Sequence, residues 1–259
     1  MPILSLNESD IYYKSDDFNK NETVVFSNSL GCDISMWDEN IETLKNHFNV
    51  LRLDTRGHGK SSIKQDEVSI KELAEDVIVL LNYLKLEKVI FCGLSMGGLI
   101  GQYLGIHFPD RLSKIILSNT AAKIGTVEGW NNRIYQVKNH GLSSILEGTA
   151  ERWLTEENRA KYPAKVNQIL EIFASNSLRG YTACCAAVRD ADFREDLMKI
   201  DVPTLIISGT KDSVTTVEDG NFMKNKIPFA KHVSLIAAHL SNKELPEEFS
   251  KNIIHFSVQ

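Results

Sequence analysis

Residues 89–98 read Val89-Ile90-Phe91-Cys92-Gly93-Leu94-Ser95-Met96-Gly97-Gly98, and this stretch decides the fold. Its first four residues are all apolar, the pattern of a parallel strand covered on both faces. The strand runs without a break into Gly-x-Ser-x-Gly. Glycines two places before and two after a serine permit a sharp strand-to-helix turn. Such a turn lifts the hydroxyl to its tip and aims the next backbone N–H at the same point. A serine hydroxyl is a weak nucleophile at neutral pH, so the turn is useful only beside a base. Ser95 is therefore the candidate nucleophile.

Outward from this turn the chain alternates strand and helix. Strands are predicted near Leu4 and over 11–14, 23–27, 50–54, 89–92 and 115–118. Trp37, Ile41, Leu44 and Phe48 recur at helical spacing, with Ser35 and Asp38 as a possible capping box. Ser69 and Glu72 open a second helix carrying Leu73, Val77, Leu80, Leu81 and Leu84. A third runs from Met96 to Phe108, where Pro109 stops it. The rhythm then breaks: residues 120–195 show only helical patterns, over 128–139, 164–174 and 178–190. Alternation resumes with a strand over 203–209, a helix over 217–227, a strand over 232–236 and a helix over 247–256. The expected architecture is α/β, a mostly parallel eight-stranded sheet flanked by helices. Residues 1–119 and 196–259 form its core, and 120–195 form a helical cap inserted after strand six.

In a doubly wound sheet the reactive groups collect at the carboxyl ends of strands. Ser95 ends one. Asp212 follows the strand over 203–209, and His239 follows the last strand. Ser27-Asn28-Ser29-Leu30-Gly31 ends an early one. Serine, acid and histidine occur in the order expected of a hydrolase built this way. His239 would take the Ser95 proton and return it to the leaving oxygen, while Asp212 fixes the imidazole tautomer. The N–H groups of Leu30 and Met96 would hold the oxyanion, each worth about 3 kcal/mol of barrier. Asp201 and Asp219 are structural alternatives to Asp212. His47 and His58 read as surface and turn residues, Arg56 as a structural contact, Trp37 as mostly core, and Glu244, Glu247 and Glu248 as a solvated helix start.

The bulk composition excludes other classes. The 259 residues are 42% hydrophobic and 24% charged, with a formal net charge of -5 and no basic run. Nucleic acid is not an expected partner. The N-terminus lacks a basic region followed by an apolar stretch, and no segment is long and apolar enough to span a bilayer, so a membrane is not expected either. Cys32, Cys92, Cys184 and Cys185 show no metal-ligand spacing, and the adjacent pair is poorly placed to bond each other. A reduced, cytoplasmic setting is the simplest expectation. The pattern leaves the oligomeric state open.

The chain resembles the α/β-hydrolase family over its whole length. Asp54-Thr55-Arg56-Gly57-His58-Gly59-Lys60-Ser61 is similar to that family's Asp-x-Arg-Gly-x-Gly-x-Ser turn. Asn28-Ser29-Leu30-Gly31 stands where many members have His-Gly-x-Gly, a departure that leaves the backbone N–H donors untouched. Within the family, several stretches resemble the 3-oxoadipate enol-lactonases: residues 93–102, 118–125, 128–134, 151–153, 180–192 and 238–242.

That resemblance implies a small carboxymethyl enol-lactone opened to 3-oxoadipate in the beta-ketoadipate pathway of aromatic catabolism, with no metal or organic cofactor. A substrate carboxylate held in an apolar pocket needs a cation or several donors. Arg133 is the first choice, with Trp130 one helical turn away as a wall. Arg189 and Arg152 are the substitutes, and Trp153 is read as pocket-lining or structural. The alternatives left open are another carboxylic-ester hydrolase or thioesterase of the same fold, and a non-catalytic ligand-binding member.

Overall fold

The structure is a computed structural model and describes residues 2–258. One eight-stranded sheet organises it. Its strands are β1 (Ile3–Ser5), β2 (Asp10–Asp16), β3 (Thr23–Ser27), β4 (Asn49–Leu53), β5 (Val89–Leu94), β6 (Leu112–Ser118), β7 (Thr204–Gly209) and β8 (Lys231–Leu235). They lie in the order β1-β2-β4-β3-β5-β6-β7-β8. The pairs β1–β2 and β2–β4 are antiparallel, and every later pair is parallel. The expected α/β architecture is the observed one.

The parallel strands are apolar because helices cover both faces. All six residues of β5 and all six of β7 are buried. The helices outside the central insertion are α1 (Asp38–Leu44), α2 (Ile70–Tyr83), α3 (Met96–His107), α9 (Val217–Lys226), α10 (Ser241–Glu244) and α11 (Pro246–Ser257). Between β6 and β7 the described residues contain no strand. They form α4 (Val127–His140), α5 (Leu146–Trp153), α6 (Glu156–Lys161), α7 (Pro163–Ser175) and α8 (Leu178–Asp190). Among the described residues no helix is long and apolar enough to cross a membrane.

The order of strands positions the site. From β3 the chain crosses to β4 on one side, then returns to β5 on the other. That reversal opens a crevice beyond the carboxyl ends of β3 and β5. The parallel register places Ser27 beside Gly93, so the Leu30 loop and the Ser95 turn leave the sheet side by side.

Local signals account for most helix starts. Ser69 and Glu72 form the expected capping box of α2. The cap expected from Ser35 and Asp38 does not form. Asp33 instead accepts from the Ser35 N–H at 2.9 Å and caps a 3₁₀ turn over Ile34–Trp37. Asp38 becomes the first residue of α1, its carboxylate taken by the buried guanidinium of Arg52.

The turn after β4 is structural. Asp54 accepts the N–H groups of Ile34 and Lys60 at 2.7 and 2.9 Å, and Arg56 pairs with buried Asp76. Burial pushes the Asp54 carboxyl up to about 6, against the pull of those two amides. His58 lies in this turn and is fully buried, its ring 6.5 Å from that of Tyr181 in α8. Burial pulls its imidazole down to about 4.

Candidate active site

Ser95 sits between β5 and α3 with φ 58° and ψ -113°, a sparsely populated conformation that costs about 1–3 kcal/mol. The surroundings over-determine it. The Ser95 N–H donates to Ser118 O at 2.9 Å, and the Thr120 hydroxyl donates to Ser95 O at 2.8 Å. The flanking glycines are obligatory. A Cβ on Gly93 would stand 2.0 Å from the Gly97 carbonyl oxygen, and one on Gly97 would stand 2.2 Å from that of Ser27. The Gly97 N–H donates to Asn28 O at 3.1 Å, tying the start of α3 to the loop after β3. The N–H groups of Leu30 and Met96 donate to no protein acceptor among the described residues.

The acid and the histidine come from the ends of β7 and β8. His239 Nδ1 lies 2.8 Å from Asp212 Oδ2, and both side chains are buried. Asp212 also accepts from the N–H groups of Val214 and Thr215, the Thr215 hydroxyl, and Asn119 Nδ2, at 2.8, 3.1, 2.8 and 3.0 Å. Burial works to raise the Asp212 carboxyl. Burial is the largest single influence, but the adjacent His239 charge and the hydrogen bonds from His239, Asn119 and Val214 together outweigh it, and the carboxyl falls to about 2. Asp212 is thus an anion across the physiological range, and it presents an acceptor to Nδ1. That hydrogen bond leaves Nε2 as the basic nitrogen. Asp219 is occupied in the capping box of α9, and Asp201 is exposed before β7.

Ser95, Leu30 and His239 open on one cavity of about 250 Å³. Its far wall is built by α4 and α5, which bring Trp130, Arg133, Arg152 and Trp153 to the lining. None of the lining residues is an aspartate or glutamate. The Arg133 guanidinium lies 5.6 Å from the Trp130 ring centroid and donates to the Tyr181 hydroxyl at 3.3 Å. Arg152 donates to the Thr149 hydroxyl at 3.3 Å. Burial, then the positive charge of Arg133, lowers the Arg152 guanidinium below its ordinary range. Two cations therefore share one wall without a carboxylate between them.

The structure brings together nine of the ten site residues singled out in the sequence. Arg189 is the exception. Its neighbour Val188 lines the cavity, whereas the Arg189 guanidinium is held outside by Asp190 at 2.7 and 2.8 Å and by Asn131 at 2.8 Å. Arg152, the other substitute for Arg133, does line the cavity. Asn119 was not singled out. It directly follows β6, at the same edge as the other groups, and that position was the available signal. Its amide donates to both Asp212 Oδ2 and Ala238 O, and its oxygen accepts the hydroxyls of Ser118 and Ser241.

The comparisons with known proteins agree with this geometry. Residues 22–244 match the family model described as alpha/beta hydrolase fold. A 3-oxoadipate enol-lactonase from Acinetobacter baylyi is 42% identical over 227 residues, covering 88% of this chain and 85% of the relative. The crystal structure of the enol-lactonase from Burkholderia xenovorans superimposes with a TM-score of 0.97 at 36% identity, over 100% of each chain. A thermophilic esterase from Thermogutta terrifontis, in a malate-bound structure, superimposes with a TM-score of 0.92 at 25% identity, over 99% of this chain and 98% of that one.

Proposed function

The chain belongs to the α/β hydrolase fold family, and from that premise we propose that it is a 3-oxoadipate enol-lactonase, a carboxylic-ester hydrolase acting on a small lactone. The observation that carries the reading is the cavity. It has Ser95 and His239 at one end, Arg133 and Arg152 on the wall, and no acidic lining residue. A neutral-ester pocket has no use for two half-buried cations on one wall, which cost desolvation free energy unless an anion joins them.

The reaction follows from these parts. His239 Nε2 takes the Ser95 hydroxyl proton as Oγ attacks the lactone carbonyl. The new C–O bond places negative charge on the former carbonyl oxygen, which the Leu30 and Met96 N–H groups receive. Collapse breaks the bond to the ring oxygen, and His239 returns the proton to it. An enol leaves more readily than an alkoxide, but it stays tethered to the acyl group and can close again. Tautomerisation of the enol to the ketone removes that nucleophile. Water, deprotonated by His239, then releases 3-oxoadipate and restores Ser95. Asp212 stabilises the imidazolium at both stages.

Residues 120–195 act as the cap that gives this site its selectivity. Arg133 and Arg152 clamp the substrate carboxylate, and Trp130 and Trp153 wall the ring. The pathway served is the beta-ketoadipate route of aromatic catabolism. A cytoplasmic setting is supported by four buried, unpaired cysteines. The test is to add the purified protein to the enol-lactone and follow loss of its ultraviolet absorbance. Wild type should open the lactone at enzymic rates and Ser95→Ala should lose about a thousandfold or more. No acceleration by wild type would refute the assignment.

A further inference from the structure

Glu244 ends the four-residue helix α10, five positions after His239. In the sequence it reads as part of a solvated acidic cluster. In the structure its carboxylate is fully used. One oxygen accepts the N–H and the hydroxyl of Thr155, at 2.8 and 2.7 Å, and the other accepts the N–H of Ala238 at 2.5 Å. Thr155 lies between α5 and α6, and Ala238 immediately precedes His239. On the other flank of His239, the Leu240 N–H donates to Trp153 O at 2.9 Å. The histidine segment is thus tied on both sides to a three-residue stretch whose first member, Trp153, lines the cavity.

Helix capping does not explain this arrangement. The start of α6 is already capped by Thr155, whose hydroxyl accepts from the Asn158 N–H. The bond to Ala238 belongs to no helix end. Nor is α10 held by the cap alone, although Lys165 of α7 donates to Lys243 O at 2.6 Å. Asn242 donates to Met36 O at 2.8 Å, Ser241 donates to Asn119 at 2.5 Å, and Lys243 pairs with Glu39. Glu244 projects from a helix anchored at Met36, Glu39 and Asn119, and one carboxylate joins that helix, the Thr155 backbone and the histidine loop. Hydrogen bonds to a charged acceptor are the stronger kind, and three on one carboxylate leave it little freedom.

We propose that Glu244 is a positioning residue that locks the Trp153–Thr155 wall of the pocket to the backbone of His239, so that cap and general base move as one body. Substrate packed against Trp153 then meets an imidazole already in register with Ser95. A misplacement of the base by about 1 Å costs on the order of a hundredfold in rate, which sets the scale of the effect. The proposal rests on the reading of His239 as the base, and the experiment separates the two.

The variants are Glu244→Ala, Glu244→Gln, His239→Ala and, as control, Glu247→Gln on the exposed start of α11. For each, kcat and KM on the enol-lactone are measured per folded molecule, with folding checked by thermal melting and near-ultraviolet circular dichroism. The downfield proton resonance of His239 Nδ1–H is also recorded. Glu244→Ala should lower kcat by about tenfold or more, change KM by less than about threefold, and shift or broaden that resonance. Glu244→Gln should fall between, because its NH2 opposes one of the donors that the carboxylate accepted. Glu247→Gln should match wild type. A folded Glu244→Ala with kcat within about twofold of wild type and an unmoved resonance overturns the proposal. If His239→Ala retains activity, the reading of the base fails instead.

Discussion

His239 Nδ1 and Asp212 Oδ2 stand 2.8 Å apart in a buried setting, with four more donors fixing the same carboxylate. Asp212→Asn keeps the shape but replaces an acceptor with an amide, which favours the wrong imidazole tautomer. The rate should fall about a thousandfold or more with KM little changed. Steady-state kinetics on the enol-lactone checks this, and a loss under tenfold contradicts it.

The depressed Asp212 carboxyl also predicts a stability effect. A carboxyl at about 2 in the folded protein, against an ordinary 3.8, contributes about 2 kcal/mol. Because the folded value is the lower one, that contribution is present above about pH 4 and is lost as the pH falls through 4 to 2. Urea unfolding across this window should give a shallower pH dependence for Asp212→Asn than for wild type. Parallel curves would remove Asp212 from the account of acid stability.

Asn119 joins the acid to the histidine loop, because its amide bridges Asp212 and Ala238. Asn119→Ala should cost about 10- to 100-fold in kcat, the range of a lost hydrogen bond to a charged group. KM for the lactone should hold, since Asn119 does not line the cavity. A change confined to KM would contradict this role.

Arg133 and Arg152 should be read out by a ratio. Either residue replaced by alanine should lower kcat/KM on the acidic lactone relative to its methyl ester by about a hundredfold, the scale for truncating one partner of a buried ionic contact. An unchanged ratio in both variants places the carboxylate elsewhere.

Gly97→Ala tests the packing of the turn. The added methyl would meet Ser27 O at 2.2 Å and Asn28 O at 3.1 Å, both at the root of the Leu30 loop. Overpacking should cost about 1–3 kcal/mol of stability, and the displaced loop should lower kcat as well. Unchanged melting temperature and rate would mean that the two loops are not held in contact.

The convergence of Ser95, Asp212 and His239 was legible because each follows an apolar strand, and a strand is a short-range signal. What lay beyond reach depended on how the insertion sits on the sheet. Arg189 and Arg152 look equivalent as letters, but the register of α8 turns Val188 to the cavity and Arg189 away. His58 lies between two glycines in a turn, and no local pattern shows that α8 covers it. Glu244 looked solvated because its partners, Thr155 and Ala238, come from separate parts of the chain. The Ser35–Asp38 cap failed because a buried Arg52 claims the Asp38 carboxylate, a tertiary demand that local pattern does not carry.

The central claim is that Ser95 Oγ forms the covalent intermediate. It is tested by mixing protein and enol-lactone, quenching in acid within the first turnovers, and measuring peptide masses. Because the leaving group stays tethered, acylation adds the whole mass of the lactone. The account predicts that increment on the peptide containing Ser95 and on no peptide of Ser95→Ala, which should be inactive. Turnover by Ser95→Ala at a rate near wild type, with no adduct at position 95 in either protein, would contradict it.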